Sequence, residues 1–164
     1  MATFGLDSGD GYYSAPANYA NAMRFQNDAG TGTLTDLEIL FDDTSPNGNV
    51  KMAIYEDNPS EQPDARLLAA GEVAVANGWV KISSLSLAVT LNTYYWFAFD
   101  LSAQNRVRRQ SGAPDDHHYY LSLAYANFPH DPWGGPGSSD NYRYVMRATV
   151  TVSGVARRIF ITHT

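Results

Sequence analysis

Residues 37–55 read LEILFDDTSPNGNVKMAIY, and this stretch decides how the rest of the chain is interpreted. Apolar side chains occupy every second position on either side of a polar segment: Leu37, Ile39 and Phe41, then Val50, Met52 and Ile54. Because successive strand residues point to opposite faces, each group of three is expected on one buried face. The segment between them contains Pro46 and Asn47-Gly48, which favour a tight turn. The stretch therefore predicts a β-hairpin from about residue 33 to residue 56.

The same period of two recurs along the chain, between short segments rich in glycine, proline, asparagine and aspartate. Residues 93–99 (TYYWFAF) are continuously apolar and aromatic, which predicts a central strand covered on both faces. Other strands are predicted at residues 67–76, 79–83, 86–91, 118–126 and 142–152. Residues 102–116, which include Arg106, Arg108 and Arg109, are predicted to form a polar, solvated loop.

Eight to ten strands at roughly ten-residue spacing, with no long helical period, predict an all-β fold. With this many strands, an antiparallel β-sandwich of two sheets, a jelly roll, is favoured. The length of 164 residues predicts a single domain over residues 1–164, with its core at about residues 18–152. Residues 153–164 are expected to form an extra strand or a tether.

Composition and charge exclude several classes of function. The chain has no cysteine, which rules out disulfides, zinc–thiolate sites and thiol nucleophiles. Its net charge of −6 disfavours nucleic acid as a partner, because binding phosphates requires a basic face. No run of about 18 apolar residues occurs, so no membrane insertion is expected. Residues 1–7 (MATFGLD) do not resemble a signal peptide, so an extracellular or surface-exposed location is expected only if the chain was excised from a larger one.

The sequence carries none of the patterns G-x-S-x-G, H-E-x-x-H or Walker A, and no enzymatic activity is predicted. Hydrolysis of polysaccharides, which uses two carboxylates, is a third hypothesis behind two non-catalytic ones. Its candidate carboxylates lie in predicted turns, where aspartate usually accepts hydrogen bonds from the backbone: Asp42, Asp43, Asp115 and Asp116.

A series of motifs occurs in order along the chain: NYANAMRF (18–25), LTDLEILF (34–41), GNVKMAIYED (48–57), LLA (67–69), GW (78–79), LNTYYWFAF (91–99), FPHDPW (128–133) and NYRY (141–144). This series resembles a β-sandwich module of secreted bacterial and archaeal proteins and of some viral surface proteins. The module is the non-catalytic, carbohydrate-binding-module type of jelly roll, and the resemblance covers about residues 18–152. It implies the jelly-roll architecture but no particular ligand, because the family has no single activity.

The resemblance also implies a structural calcium ion, which modules of this type often carry; no other cofactor is expected. Calcium takes oxygen ligands from loops. Asp42, Asp43 and Asp57 supply such oxygens, although their spacing does not match an EF-hand.

The long loop at residues 127–141 contains the best candidates for recognition of a ligand. Sugars are bound by flat aromatic faces together with a few placed polar groups. Trp133 is the candidate for stacking, with the alternative that it folds back and plugs an open end of the sandwich. Tyr12 and Tyr13 form a second pair that is expected to be exposed. The other candidates in and beside the loop are His130, Asp131, Asp140, Asn141 and Tyr142.

These observations predict a non-catalytic recognition module that binds carbohydrate, a polysaccharide or glycan, through loop aromatics. The alternative is a structural or adhesive module of a larger surface or viral assembly, which has no small ligand. Such a module would form oligomers through exposed tyrosines or an edge strand.

Overall fold

The computed structural model of this chain describes residues 1–114, 117–135 and 137–154. Two of the candidate carboxylates, Asp115 and Asp116, lie outside the described residues, as does nearly all of the predicted tail, from residue 155 onward. Within the described residues, no helix has the length and apolar character needed to cross a membrane.

The described residues form fourteen β-strands, which are joined by turns and by one short 3₁₀ helix, Tyr125–Asn127. All pairs of neighbouring strands among them are antiparallel. In chain order the strands are β1 (Ala2–Gly5), β2 (Gly11–Ala15), β3 (Tyr19–Gln26), β4 (Gly32–Phe41), β5 (Asn49–Asp57), β6 (Pro63–Ala74), β7 (Gly78–Ile82), β8 (Leu87–Val89), β9 (Tyr94–Leu101), β10 (Asn105–Ser111), β11 (His118–Ser122), β12 (Ser138–Ser139), β13 (Tyr142–Tyr144) and β14 (Met146–Val152).

The strands form two sheets. In the eight-stranded sheet the order is β1-β14-β4-β10-β13, with β2 pairing with β10, and with β7 and β8 pairing with β4. In the six-stranded sheet the order is β12-β11-β3-β9-β5-β6. The predicted all-β, antiparallel two-sheet sandwich is confirmed, although the described residues build it from fourteen short strands rather than eight to ten.

The main core lies between the two sheets, and β9 shows how the sequence builds it. Tyr95, Phe97 and Phe99 point into the main core. Trp96 and Ala98, at the alternate positions, belong to a second cluster on the other side of the same sheet. Because β9 lies between β3 and β5 and both of its faces are buried, the predicted central strand is confirmed.

The predicted hairpin at residues 33–56 is wrong, although both of its strands exist. β4 lies in the eight-stranded sheet and β5 lies in the six-stranded sheet, so residues 42–48 cross from one sheet to the other. The polar residues of this segment hold the crossing in place. The Asp43 carboxylate accepts hydrogen bonds from the backbone N–H groups of Ser45 (2.9 Å) and Arg106 (2.7 Å). A period of two determines which face of a strand is buried, but it does not choose the partner strand.

The solvated loop predicted at residues 102–116 is also wrong, because Asn105–Ser111 forms β10. Val107, the one large apolar residue of this strand, is fully buried in the main core. Arg106 and Arg108, at the alternate positions, form ion pairs with Asp42 at 3.7 and 3.5 Å. One apolar residue among polar neighbours gives too little alternation to indicate a strand.

The outer face of the six-stranded sheet is covered by residues 123–135, which we call the covering loop. Hydrogen bonds hold the loop on the sheet, and two of them lie beside Trp133. The Tyr55 hydroxyl donates to the carbonyl of His130 at 2.8 Å, and the backbone N–H of Trp133 donates to the carbonyl of Asp64 at 3.0 Å. The buried residues of this second cluster combine small strand residues with large aromatic ones: Ala20, Ala22, Ala53, Ala98, Tyr55, Trp96, Phe128 and Trp133.

Candidate functional site: a cleft lined by tyrosines

A cleft with a volume of about 360 Å³ opens between the two sheets. Its lining residues come from β2, β3, β11 and β13 and from the segments that join β2 to β3 and β12 to β13: Tyr13, Pro16, Tyr19, Asn21, Tyr120, Asp140, Tyr142 and Tyr144. Since five of these eight residues are tyrosines, we call it the tyrosine cleft. Its volume lies at the lower end of the range for small-molecule sites, about 300–1,000 Å³.

Strand pairing places Tyr13 on the inner face of the sandwich. Tyr13 lies directly opposite Val107 in the β2–β10 pair, and residues that lie opposite each other share a face. Val107 is fully buried, whereas Tyr13 is 43% exposed. The two sheets therefore separate at this end of the sandwich. Tyr13 forms a wall of the opening, with its ring centre 5.8 Å from that of Tyr142.

The inner face of β3 changes from apolar to polar toward the same end. Met23 and Phe25 pack in the main core. Tyr19 and Asn21 follow at the same alternate positions of the strand and line the cleft. Tyr120 of β11 lies opposite Asn21 and adds a further ring. The tyrosine cleft is thus the polar, aromatic end of the space that elsewhere holds the core.

His118 lies beside the cleft and is fully buried. Its Nε2 lies 3.1 Å from Oδ1 of Asn21, whose Nδ2 donates to the carbonyl of Tyr19 at 2.8 Å. Because Oδ1 can only accept, Nε2 carries the proton in this arrangement. Burial lowers the pKa of His118 to about 3, so the imidazole is neutral at neutral pH. These hydrogen bonds fix the position of Asn21 at the cleft.

Tyr142 and Tyr144 are the most deeply buried tyrosines of the cleft, with 8% and 1% of their surface exposed. Their ring centres lie 5.4 Å apart and the rings are nearly perpendicular, at 88°. Burial raises the pKa of Tyr142 to about 12 and also raises the pKa of Tyr144. Both hydroxyls are therefore protonated at neutral pH and can donate and accept hydrogen bonds.

Asp140 lines the cleft, and Arg109, of opposite charge, lies behind the ring of Tyr142. Among the described lining residues, Asp140 is the charged one; its Oδ1 accepts the backbone N–H of Asn141 at 3.0 Å. Its own backbone N–H donates to the carbonyl of His118 at 3.1 Å, which ties it to β11. The guanidinium of Arg109 lies 4.8 Å from the ring centre of Tyr142 and does not line the opening.

Some residues predicted from the sequence lie at this cleft. Tyr13, Asp140 and Tyr142 line it, and Asn141, which lies between the last two, is exposed. Tyr12 is 48% exposed, as expected of this pair, but it points to the opposite face of β2. There the guanidinium of Arg106 lies 3.5 Å from its ring centre. Tyr12 therefore contributes nothing to the cleft.

Trp133 does not form the expected stacking platform. Its side chain is 2% exposed, and its ring meets Tyr55 edge-on with the ring centres 5.2 Å apart. The burial of Trp133 agrees with the alternative that this residue folds back onto the sandwich. It covers the outer face of the six-stranded sheet, however, and not an open end. His130 and Asp131 are exposed on the covering loop, where the Asp131 carboxylate accepts the backbone N–H of Arg66 at 3.1 Å. None of these three predicted residues lines the tyrosine cleft.

The carboxylates predicted as calcium ligands are engaged with other partners. Asp57 accepts hydrogen bonds from the Arg24 guanidinium at 3.0 and 2.7 Å and from the Trp96 indole at 2.8 Å. Asp42 and Asp43 are held by the arginine side chains and backbone donors described above. Neighbouring guanidinium groups disfavour a cation at Asp42 and Asp57. Within the described part of the chain, no group of three or more His, Cys, Asp or Glu residues is placed to hold a metal ion.

Sequence reasoning missed five residues of the cleft, and part of the signal was available in β3. Within YANAMRF (19–25), Tyr19 and Asn21 have the same parity as the core residues Met23 and Phe25. A polar residue at a core-facing position marks the point at which a buried face opens. The missed residues are Pro16, Tyr19, Asn21, Tyr120 and Tyr144.

No protein-family model and no curated protein sequence matches this chain. Among solved structures, a variant of the clostridial cysteine protease Cwp84 after propeptide cleavage matches 92% of the chain, with a TM-score of 0.63 and 10% identity. A second structure, of the cysteine protease and lectin-like domains of Cwp84, a surface layer associated protein of Clostridium difficile, matches 84% of the chain, with a TM-score of 0.56 and 11% identity. This chain spans only 40% and 33% of those two chains. The matched part is the lectin-like domain, and at such low identity the similarity establishes the shared fold alone.

Proposed function

We propose that this chain is a non-catalytic recognition module of a surface protein and that it binds carbohydrate in the tyrosine cleft. The observation that carries the proposal is the cleft itself. Tyr13 and Tyr19, on the inner faces of the two sheets, are 43% and 38% exposed where the sheets separate, so their rings and hydroxyls are available to a ligand.

The residue types in the cleft suit a sugar. Aromatic rings present apolar faces to the C–H groups of a sugar ring, and tyrosine adds a hydroxyl that bonds the sugar hydroxyls. Specific sites combine such apolar surface with a few fixed polar groups, which here are Asn21, Asp140 and the neutral Tyr142 hydroxyl. Tyrosine and asparagine at core-facing positions stabilise a fold less than leucine or valine would. Recognition of a ligand accounts for their presence.

The structural neighbours support the same proposal. The matched domain of Cwp84 is its lectin-like domain, and Cwp84 is a surface layer associated protein. The protease domain of that protein is not the matched part, and this chain has no cysteine to act as a thiol nucleophile. A recognition role at a surface, without catalysis, agrees with both facts.

Adjacent tyrosines provide a matched test. Tyr13 and Tyr12 are neighbours with similar exposure, 43% and 48%, but only Tyr13 lines the cleft. Wild type, Tyr13→Ala and Tyr12→Ala would be titrated calorimetrically with the glycans that bind wild type in a panel screen. We expect Tyr13→Ala to weaken binding about tenfold or more, which is about 1.4 kcal/mol. Tyr12→Ala should change it by no more than about twofold.

Two results would contradict the proposal. The first is a panel in which no glycan binds the wild-type chain. The second is an equal effect of the two substitutions, because the cleft would then have no special role.

A structural or adhesive module of a surface assembly is the second candidate, and an observation at β6 favours it. β6 has 12 residues and stands last in the hydrogen-bonded order of the six-stranded sheet. An edge strand of this length can pair with another chain, and Leu67 on it is 38% exposed. Light scattering tests this candidate: a stable dimer or trimer over a wide concentration range would support it, and a monomer would contradict self-assembly.

A further inference from the structure

Among the described residues that line the tyrosine cleft, the charged side chain is the carboxylate of Asp140. Asp140 lines the opening, whereas Arg109 lies against the rings of Tyr142 and Tyr13, at 4.8 and 5.8 Å, and is not part of the lining. Like charges repel more strongly in a partly enclosed site than in bulk water, because the effective dielectric constant is lower. An anionic sugar is therefore disfavoured by the same carboxylate that would attract hydroxyl donors.

The position of Asp140 suits it to accept hydroxyl groups. Its backbone is tied to His118 and its Oδ1 accepts the Asn141 N–H at 3.0 Å, so the carboxylate is oriented before any ligand arrives. A carboxylate has about four acceptor positions, and one contact with a backbone N–H leaves the others available. Two neighbouring hydroxyls of one sugar ring can donate to its two oxygens, as charge-assisted hydrogen bonds.

The size of the cleft limits the length of the ligand. Its volume is about 360 Å³, and its deepest lining residues, Tyr142 and Tyr144, are 8% and 1% exposed. A space of this size, at the small end of ligand sites, holds about one or two sugar rings. Additional rings of a longer chain would lie outside the cleft and would add little affinity.

On the basis of the proposed function, we infer that the tyrosine cleft binds one end of an uncharged glycan, with two neighbouring hydroxyls of a sugar ring on the Asp140 carboxylate, and that it rejects anionic sugars. Asp140 is thus a specificity-determining residue as well as a contact. The inference concerns the class of sugar, whereas the proposed function concerns sugar binding in general.

The experiment uses the 164-residue chain and matched sugars. The probes are the methyl glycosides of glucose and galactose, the corresponding methyl glycuronides, which differ only in a carboxylate at the sixth carbon, and neutral disaccharides and tetrasaccharides of the same sugars. Affinities would be measured by calorimetry or by NMR titration for wild type, Asp140→Asn and Asp131→Asn. Asp131→Asn is the control, because this carboxylate is exposed on the covering loop.

We expect a neutral glycoside to bind wild type at least about tenfold more tightly than its glycuronide, and affinity to stop rising beyond the disaccharide. Asp140→Asn should weaken the neutral sugar about tenfold to a hundredfold, since a charge-assisted acceptor is lost. It should also reduce the difference between the neutral and anionic sugars. Asparagine keeps an oxygen for the Asn141 N–H, so the fold should be unaffected, and equal melting temperatures would verify this. Asp131→Asn should bind like wild type.

The outcomes separate the inference from the proposed function. If glycuronides bind as tightly as glycosides, or if Asp140→Asn binds like wild type while Tyr13→Ala does not bind, the inference is wrong and the proposed function stands. If affinity continues to rise from the disaccharide to the tetrasaccharide, the inference that the cleft holds only one or two rings at the end of a glycan is wrong. If no sugar of either charge binds, the inference and the proposed function are both wrong.

Discussion

The outer face of the six-stranded sheet and the tyrosine cleft both carry aromatic residues, but they use them differently. On the outer face, Trp133 is 2% exposed beneath the covering loop. In the cleft, Tyr13 and Tyr19 are 43% and 38% exposed. The difference arises from their surroundings: the covered face offers an apolar floor of alanines, whereas the cleft is surrounded by polar side chains and a carboxylate. Aromatic residues therefore stabilise the fold at the first region, whereas Tyr13 and Tyr19 at the second remain partly exposed to solvent.

The largest effect is expected from Trp133→Ala. Removing this ring leaves a cavity between the covering loop and Tyr55, so the free energy of unfolding should fall by about 3–5 kcal/mol. Urea denaturation measures this loss. Glycan affinity should stay unchanged under conditions in which the variant is folded. A variant that keeps its stability but no longer binds glycan would show that Trp133, rather than the cleft, is the binding residue.

A smaller effect is expected at Asp100, a fully buried residue on the covered side of β9. Burial raises the pKa of Asp100 to about 6, above its ordinary value of about 3.9. Between these two values the unfolded chain has released a proton that the folded chain still holds, so stability is lost as the pH rises from about 4 to 6.

Asp100→Asn removes this dependence. Relative to wild type, the variant should gain about 2–3 kcal/mol of unfolding free energy between pH 4 and pH 7. Denaturation of both proteins across this range provides the measurement. If the difference in unfolding free energy between the two proteins is the same at every pH, Asp100 titrates normally and the covered face is open to water.

The smallest effect is that of pH on glycan binding through His118, which lies beside the cleft. Because burial lowers its pKa to about 3, its imidazole should remain neutral from pH 8 down to about pH 5. Glycan binding should then show no step in this range that arises from His118. Nitrogen chemical shifts of the ring report its protonation directly, and a transition near pH 6.5 would mean that water reaches His118 through the cleft.

The sequence predicted the buried faces of individual strands because alternation depends only on adjacent residues. Within the predicted strand at residues 93–99, residues 95–99 are buried, and so are the apolar residues Leu37, Ile39 and Phe41 of β4 and Val50, Met52 and Ile54 of β5. The pairing of strands was not predictable in the same way, because alternation does not name a partner. β4 pairs with β7, β8, β10 and β14 in one sheet, whereas β5 pairs with the next strand, β6, and with β9 in the other. β10 was missed because its apolar signal is reduced to Val107.

The candidate site was predicted only in part, for a related reason. Tyr13 and Tyr142 were found from residue type and local context. For Trp133 the sequence leaves open a stacking platform and a plug, because the composition of its loop is typical of exposed segments. The apolar floor that it covers is formed by alanines of β3, β5 and β9, which lie 35 to 113 positions away along the chain. Only the assembled sheet brings these alanines together.

NMR titration of the isotope-labelled chain with a glycan that binds it tests the central claim most directly. We predict that the backbone amides of Tyr13, Tyr19 and Asn141, at and beside the cleft, shift with the ligand while the Trp133 indole signal stays in place. Shifts of the Trp133 indole and of amides in the covering loop, with an unchanged cleft, would contradict the account.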